Sequence, residues 1–393
     1  MLKDKVIVCI SPIEWDFLWQ RHQIIMQSLA QSGNRVFYIE NLSPSLSLNF
    51  SIFSKILKRM KKVLFGSSFK DSKQIPNLKV ITPFVLPFKN RLAEFINKKL
   101  FIKLLCLLLK SRGIEKPIIW TYLVTSEALE LIAHMEPQFL VYDCVFDIIT
   151  HPDYPKETAS FEKIIMESAD LIFTDNLLLL KKCKQANPAT YLIQPGVDFE
   201  LFSSAKYIPE LRLFKKIGKP RICFFGGIDE IRIDLGLIKF IAKNRPEWNI
   251  ILFGPVIKTN VSTLKIKNIF FMGTLKHEEL PWYLKEIDVL ILPYKIIPFS
   301  NSIFPAKIFE CLATGKPIVS TPLSELSFYP EEIIRFASRK EDFISAIEKS
   351  LNSTNPNEIR KRIVLAQENS WAKRLTDIQT IIEEALNNKR KTE

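Results

Sequence analysis

Short apolar runs alternate with helix-like stretches along the first half of the chain. The runs typical of buried strands lie at 5–10, 35–39, 117–120, 138–142, 170–174 and 190–193. Between them lie stretches with helical spacing, such as 17–32, which ends at Gly33. Strands that alternate with helices are typical of parallel sheets with helical crossovers. This half is therefore predicted to be an α/β domain with a doubly wound parallel sheet.

A second series of the same kind follows the turn-rich segment QPGVDFELF at 194–202. Its strand candidates begin with RICFF (221–225) and continue through WNIILF, NIFFM, VLIL and PIVS. We therefore predict two Rossmann-like domains, residues 1–200 and 201–370, that face each other across a cleft, and a C-terminal helix over 371–393. In such folds ligands bind at the carboxyl ends of the strands, so the cleft is the expected active site.

The cysteine pattern and the N-terminal residues indicate the compartment in which the protein is expected. The six cysteines are scattered, without a C-x-x-C pair or a histidine spacing suited to zinc, which predicts reduced thiols and no structural metal. No cofactor is expected. The N-terminal KDKVIVCI is a strand pattern that lacks the longer apolar core of a secretory signal. No uncharged apolar run approaches the roughly 18–20 residues that span a bilayer. A cytoplasmic protein is expected.

Positive charge is concentrated in one stretch. The net charge is +13, and residues 51–114 contain fifteen Lys or Arg but only Asp71 and Glu94 as acids. In KILKRMKKVLF (55–65) and RLAEFINKKLFIKLLCLLLK (91–110), apolar residues recur at helical spacing between the cations. This pattern favours an insertion over 45–114 that docks on an anionic membrane surface. Ordinary solvated helix faces are the alternative, and nucleic-acid binding is not expected because no recognisable module is present.

The stretch FPAKIFECLATGKPIVSTP at 304–322 predicts a helix from Pro305 to Thr314 that runs into a buried strand. Lys307 opposes the helix dipole, unless an anion lies at the helix start and at the small polar loop before it. A diphosphate would fit there. Glu310, one turn along, is placed to accept hydrogen bonds from ribose hydroxyls. A surface ion pair between Lys307 and Glu310 is the alternative.

These residues resemble the donor-site segment of the group 1, or family 4, glycosyltransferases, which have the GT-B architecture. Other stretches agree in order and spacing, and the resemblance covers most of residues 190–325: PGVDFELF, FFGGID, ILFGP and NIFFMGTLKHEELPWYLKEIDVLILPY. In the first half, WDFLWQRHQIIMQSLAQSGNRVFYIEN and VYDCVFDII are similar to teichuronic-acid-type enzymes of cell-envelope synthesis.

The resemblance implies transfer of a sugar from a UDP- or GDP-linked donor to a hydroxyl of a lipid-linked or saccharide acceptor. Retention of anomeric configuration and independence of metal are implied as well. Lys307 would contact the diphosphate and Glu310 the ribose, and Arg232 is the nearest candidate for a second catalytic cation. The remaining donor-binding residues are expected in three loops: Gly226, Gly227, Gly254, Pro255, Ser302, Ile303, Phe304, Pro305 and Ala306.

The chain departs from the family pattern at three places. Ser302 stands where a sugar-contacting Glu is common, Pro195 replaces an Asn, and Gly227 with Ile228 replaces an Arg. A catalytically inactive protein that binds nucleotide sugars is therefore the alternative to an enzyme.

The acceptor side is expected where the first strand gives way to helix 17–32. Asp16, Trp19, Arg21 and Gln23 cluster there. Arg21 could hold a phosphate or pair with Asp16 or Glu14.

Two further side chains follow the strand at 138–142. Asp147 lies in the motif-like YDCVFD and is the better-supported candidate of the two for a catalytic residue. His151 is a candidate only for facing the acceptor, because a lone loop histidine is more often structural. Trp15 and Trp19 could stack on a sugar or belong to the core.

Overall fold

The computed structural model describes nine ranges, and all structural statements below concern them: 2–17, 19–42, 69–71, 75–86, 90–151, 154–204, 214–257, 259–353 and 355–392. The chain forms two units. The first comprises Met1–Ile193 and Leu375–Glu393, and the second comprises Gln194–Arg374. The division thus falls at Ile193, whereas the sequence placed it at residue 200.

The first unit is built on an eight-stranded sheet with the order β3-β4-β2-β1-β5-β6-β7-β8. Its strands are β1 (Val6–Ser11), β2 (Arg35–Glu40), β3 (Phe69–Asp71), β4 (Leu78–Ile81), β5 (Ile118–Thr121), β6 (Phe139–Cys144), β7 (Leu171–Thr174) and β8 (Thr190–Leu192). All pairs are parallel except β3 with β4. The sequence pattern missed β3 and β4, which are short and lie in the basic stretch.

Helices cover the sheet of the first unit. They are α1 (Arg21–Gln31), α2 (Arg91–Ile96), a π-helical turn (Asn97–Ile102), α3 (Lys103–Lys110), α4 (Ser126–Met135), α5 (Thr158–Ser168) and α6 (Leu177–Ala186). Every residue of β6 is buried, as expected of a central parallel strand with helices on both faces. The predicted basic helix at 55–65 lies outside the described residues.

The second unit is built on a six-stranded parallel sheet with the order β11-β10-β9-β12-β13-β14. Its strands are β9 (Arg221–Phe225), β10 (Asn249–Phe253), β11 (Ile269–Gly273), β12 (Val289–Leu292), β13 (Ile318–Ser320) and β14 (Arg335–Phe336). The order reverses direction at β9, so the carboxyl end of β9 is the expected ligand position of a doubly wound sheet.

The helices of the second unit include several short ones near the carboxyl ends of its strands. They are α7 (Phe199–Ser204), α8 (Leu235–Asn244), α9 (Leu280–Leu284), α10 (Pro298–Asn301), α11 (Ile308–Ala313), α12 (Lys340–Leu351) and α13 (Pro356–Glu368). Turns of 3-10 helix lie at Phe214–Lys216, Val261–Leu264, His277–Glu279 and Ser324–Leu326.

The last helix, α14 (Trp371–Thr392), belongs to the first unit from Leu375 onward. Ile378, Ile382 and Leu386 are buried on one face of it. Lys389 Nζ lies 2.7 Å from Asp170 Oδ1, and Gln379 Nε2 donates to Ser32 Oγ over 3.2 Å. Among the described residues, none of the helices is both long and apolar enough to cross a membrane.

Candidate functional site

Lys307 lies at the carboxyl end of β9, surrounded by aromatic rings. Its Nζ is 4.6 Å from the ring centre of Phe224, 5.9 Å from that of Phe225 and 5.7 Å from that of Tyr294. The Tyr294 hydroxyl is 3.4 Å away. Within the described ranges, no carboxylate lies at ion-pair distance from this ammonium. The charge is therefore held by ring faces and remains available to an anion.

Two glycines allow close packing beside Lys307: Gly226 lies against its side chain, and Gly254 lies against the Gly226 backbone. Gly226, just after β9, has φ of 120°, and a Cβ built there would lie 2.5 Å from Lys307 Nζ. Gly254, just after β10, has φ of 130°, and a Cβ there would collide with the Gly226 carbonyl. Both positions thus require glycine, because of backbone conformation and because of space.

The helix that carries Lys307 and Glu310 is shorter than predicted. It runs only over Ile308–Ala313, with Lys307 as its N-cap, instead of from Pro305 to Thr314. A turn precedes it, in which the Ile308 amide donates to the Pro305 carbonyl over 2.9 Å. Six residues make a weak dipole, so the local positive charge comes chiefly from the Lys307 ammonium.

Glu310 lies one turn beyond Lys307, with 18% of its side chain exposed. Its Oε1 is 3.8 Å from His277 Nδ1. Burial raises the pKa of the Glu310 carboxyl, while the charges of His277 and Lys307 act in the opposite direction. Since no ion pair joins Lys307 to Glu310, the surface ion pair considered from the sequence is wrong.

Arg232 lies beside the glycine loop after β9. Its guanidinium is paired with Asp229, with Nε and Nη2 at 2.8 and 2.5 Å from Oδ2. Its Nη2 is 3.3 Å from the position that a Cβ on Gly227 would occupy. Arg232 therefore sits where the sequence expected a second cation, but with part of its charge neutralised.

The loop before α11 is mostly buried. Ser302 is 1% exposed, and its hydroxyl donates to the Phe299 carbonyl over 2.7 Å. Phe304 and Pro305 are buried, whereas Ala306 is exposed. Ile303, like Gly227, Gly254 and Pro255, is half-buried. The Ser302 hydroxyl thus hydrogen-bonds to the backbone of its own loop. This is the position at which the resemblance to group 1 glycosyltransferases leads one to expect a Glu.

In the first unit, Arg21 forms a buried ion pair. Its Nε lies 3.1 and 3.0 Å from the two carboxylate oxygens of Asp143, and Nη1 donates to the Ile193 carbonyl over 2.6 Å. Arg21 is 7% exposed and Asp143 is fully buried. The alternative of a pair with Asp16 or Glu14 is wrong, because the carboxylate partner comes from β6, far along the chain. Arg21 Nη2 is buried without a hydrogen-bond partner in the described part of the chain.

A polar cluster that the sequence pattern missed adjoins Arg21. His22 stacks on Tyr122, with ring centres 3.6 Å apart, and its Nδ1 is 2.9 Å from Ser11 Oγ. Tyr38 donates its hydroxyl to Ser11 Oγ over 2.7 Å. Burial, with the nearby Arg21 charge, lowers the pKa of His22 to about 3, so this imidazole is neutral. The sequence did not reveal this cluster, because its members are single polar residues that lie within apolar stretches.

The remaining residues near helix α1 have largely structural contacts. Trp15 is buried, with its ring centre 5.5 Å from that of Trp19 and 4.9 Å from that of Tyr38. Gln23 caps the helix by accepting from the Gln20 amide over 3.1 Å. Asp16 is exposed and Trp19 is half-buried. Of the two tryptophans, Trp15 belongs to the core and only Trp19 keeps an accessible face.

Asp147 lies in a charged triad after β6. Lys182 Nζ is 2.8 Å from Asp147 Oδ1 and 2.7 Å from Glu162 Oε2. The ring of His151 packs near Phe146, with centres 5.5 Å apart. In the described ranges, no three His, Cys, Asp or Glu side chains gather in a way that could hold a metal ion.

Two Rossmann-like units, each built on a mainly parallel sheet, are the architecture of the GT-B class of fold. The solved structures agree. The Anabaena protein HepE, in complex with UDP and glucose, superposes with a TM-score of 0.69 at 12% identity over 96% of this chain and 99% of that one. A glycosyltransferase from Rickettsia africae gives 0.66 at 14% identity, over 98% and 100% of the chains. The predicted fold is confirmed.

Sequence comparisons confirm the predicted resemblance. Residues 219–353 match the family described as glycosyl transferases group 1. A protein of Bacillus subtilis (strain 168) named for teichuronic acid biosynthesis, the glycosyltransferase TuaH, is 32% identical over 228 residues. That match covers 54% of this chain and 57% of TuaH, so the chain spans less than two thirds of this curated relative.

Proposed function

We propose that this protein is a glycosyltransferase that moves a sugar from a UDP- or GDP-linked donor to a hydroxyl group in cell-envelope polysaccharide synthesis. One observation carries the proposal: the Lys307 ammonium lies at the carboxyl end of β9 without a carboxylate partner among the described residues, and the Glu310 carboxylate lies one turn away. The similarity of residues 219–353 to group 1 enzymes supports it. So does the UDP present in the structure of the HepE neighbour.

The chemistry that we propose depends on stabilising the leaving group. When the bond between the sugar and the diphosphate breaks, negative charge develops on the phosphate oxygens. Lys307 is placed to bind that charge, and Arg232 adds a second, partly neutralised cation. Glu310 fixes the nucleotide through the ribose. Transfer proceeds with retention: the acceptor hydroxyl attacks the sugar on the face that the diphosphate leaves, and the departing phosphate takes its proton. No metal ion is required, because the two cations stabilise the diphosphate.

The acceptor, lipid-linked or saccharide, is proposed to bind to the first unit. Trp19 is half-buried and could stack on a sugar, whereas Arg21, buried and paired with Asp143, would hold the start of helix α1 in place. Asp147 and His151 follow β6 at the same carboxyl edge of the sheet, and Asp16 is exposed beside Trp19. These residues offer stacking, charge and hydrogen bonds to a sugar acceptor.

We also propose that the segment 91–110 docks on the cytoplasmic face of an anionic membrane. Its buried face carries Ala93, Asn97, Ile102, Leu105, Cys106 and Leu109. Large apolar side chains are exposed on the other side: Leu92 (69%), Phe95 (61%), Leu100 (57%), Leu104 (42%) and Leu107 (64%). Exposed Lys99, Lys103 and Lys110 lie among them. Exposed leucines flanked by lysines suit the boundary between anionic headgroups and acyl chains.

A vesicle experiment tests this docking. The triple variant Leu92→Gln, Leu100→Gln, Leu107→Gln should lose co-sedimentation with vesicles of phosphatidylglycerol, because the apolar contact is gone. The matched control replaces two exposed apolar residues of α13 in the second unit, Ile359→Gln and Val364→Gln. Undiminished binding by the triple variant would overturn the proposed docking.

Turnover is tested by incubating the protein with UDP- and GDP-sugars, with and without membrane lipid extract, and measuring the nucleoside diphosphate released. Release by the wild type and its loss in Lys307→Gln and Glu310→Gln are expected. Lys340, which lies 5.9 Å from the Phe240 ring in the same unit, provides a matched control as Lys340→Gln. Nucleotide binding without release across the panel would instead support an inactive binding protein, the alternative suggested by Ser302 at the position of the common Glu.

A further inference from the structure

His277 faces the proposed ribose-binding carboxylate from a different part of the chain. It opens the 3-10 turn His277–Glu279, which follows β11. Its Nδ1 lies 3.8 Å from Glu310 Oε1, which is longer than a hydrogen bond but within the range of an ion pair. No established or predicted role accounts for this contact.

The imidazole is held in place by its surroundings. The ring of Phe202, from helix α7, lies 6.1 Å from it at an interplanar angle of 57°. Phe202 is 3% exposed and belongs to the core of the second unit. The turn is closed by the Glu279 amide, which donates to the Lys276 carbonyl over 3.1 Å. His277 therefore approaches Glu310 from a packed position and keeps 22% of its own side chain exposed.

The Glu310 carboxylate otherwise has few constraints. No hydrogen bond from the described part of the chain reaches its oxygens, and the charged neighbours that act on it are His277 and Lys307. Burial raises the pKa of this carboxyl, and His277 and Lys307 act in the opposite direction. A carboxylate that must accept two ribose hydroxyls needs a fixed orientation and a negative charge. His277 contacts one oxygen and leaves the other open.

We propose that His277 is a positioning residue, which orients the Glu310 carboxylate toward the ribose hydroxyls of the donor nucleotide. This inference rests on the proposed function, since it presupposes that Glu310 binds ribose. It makes the turn after β11 part of the nucleotide site, together with α11 and the glycine loop after β9.

A double-mutant cycle with Glu310 tests the proposal. UDP and GDP are titrated in parallel into the wild type, His277→Ala, Glu310→Gln and the double variant. We expect His277→Ala to lower the affinity for the nucleotide that the wild type binds by about two- to fivefold. This is the range of a partly exposed ion pair. In the Glu310→Gln background the same change should have no further effect. His277→Lys, which provides a cation at this position, should bind the nucleotide more tightly than His277→Ala.

A second ligand separates positioning from general damage to the fold. The 2′,3′-dideoxy form of the same nucleoside diphosphate lacks the hydroxyls, so His277→Ala should not change its affinity. The control His134→Ala removes a similar histidine in the first unit, whose Nδ1 lies 3.9 Å from Glu130 Oε1, and should change neither affinity.

The outcomes distinguish the two proposals. Suppose that the wild type binds nucleotide and that Glu310→Gln lowers its affinity. If His277→Ala then has no effect on affinity, or the same effect in the wild type as in Glu310→Gln, the proposed role of His277 is wrong while the proposed function stands. If the wild type binds neither UDP nor GDP, or Glu310→Gln leaves binding unchanged, the proposed donor site itself is wrong.

Discussion

Lys307 and Arg21 are both cations at the start of a helix, one in each unit. The structure surrounds them differently. Lys307 faces aromatic rings and no carboxylate within the described ranges, whereas Arg21 binds both oxygens of the buried Asp143. Position in the helix therefore does not decide whether a cation serves a ligand. Whether a cation is available to a ligand depends on whether the fold supplies a carboxylate partner for it.

The largest effect is expected on stability in the first unit. Arg21→Ala leaves the Asp143 charge buried and unpaired, which should cost about 3–5 kcal/mol of unfolding free energy. Urea unfolding followed by tryptophan fluorescence measures it. The control Arg339→Ala breaks an exposed pair with Asp342 and should change little. A wild-type unfolding midpoint for Arg21→Ala would show that the buried pair is not what holds this region together.

Lys307→Gln should show the opposite behaviour. Removing the charge that binds the diphosphate should lower the affinity for UDP or GDP by about 10- to 100-fold, because a charged hydrogen bond is lost. Stability should barely change, since no buried partner is left unpaired. Calorimetric titration measures the affinity, and Lys340→Gln is the control. If Lys307→Gln were strongly destabilised but bound nucleotide with unchanged affinity, Lys307 would be a structural cation like Arg21.

Gly226→Ala should weaken nucleotide binding by about tenfold, roughly 1.4 kcal/mol. The added Cβ meets Lys307 Nζ and displaces it, and a φ of 120° strains any other residue. Gly113→Ala is the control, because Gly113 also has positive φ but open space around it. Unchanged nucleotide affinity of Gly226→Ala would mean that the position of the Lys307 ammonium is unimportant for binding.

The smallest effect concerns pH and Glu310. Because burial raises the folded-state pKa of this carboxyl, its ionised form destabilises the free protein, and stability is lost as pH rises through that pKa. Glu310→Gln should therefore be more stable than wild type near neutral pH, by up to about 1 kcal/mol. The difference should vanish below about pH 4, where the carboxyl is protonated in both states.

Thermal unfolding from about pH 3 to 8 measures this effect, with Glu331→Gln as an exposed control. The same Glu310→Gln variant should bind nucleotide more weakly, so stability and binding should move in opposite directions. Lower stability of the variant at neutral pH would contradict the sign derived from burial.

The sequence predicted the strands well because buried parallel strands are continuous apolar runs. RICFF, for example, is β9 from its first residue to its last. The two-residue β14 and the three-residue β3 are too short to give a pattern. Helix α11 was predicted too long because Pro305 and Gly315 mark the limits of a turn–helix–turn, not of the helix alone.

The candidate site was predicted where its residues are close in sequence. Lys307 and Glu310 lie within one turn, so spacing alone relates them. The partner of Arg21 could not be predicted, because Asp143 is 122 residues away and meets it only when β6 pairs into the sheet. His277 was missed for the same reason, since its contact with Glu310 depends on where β11 ends.

A structure of the protein with bound UDP, or with GDP if that nucleotide binds more tightly, tests the central claim most directly. We predict diphosphate oxygens within about 2.7–3.2 Å of Lys307 Nζ and ribose hydroxyls on the Glu310 carboxylate. A nucleotide bound away from Lys307, with its ammonium still among the three aromatic rings, would contradict the account.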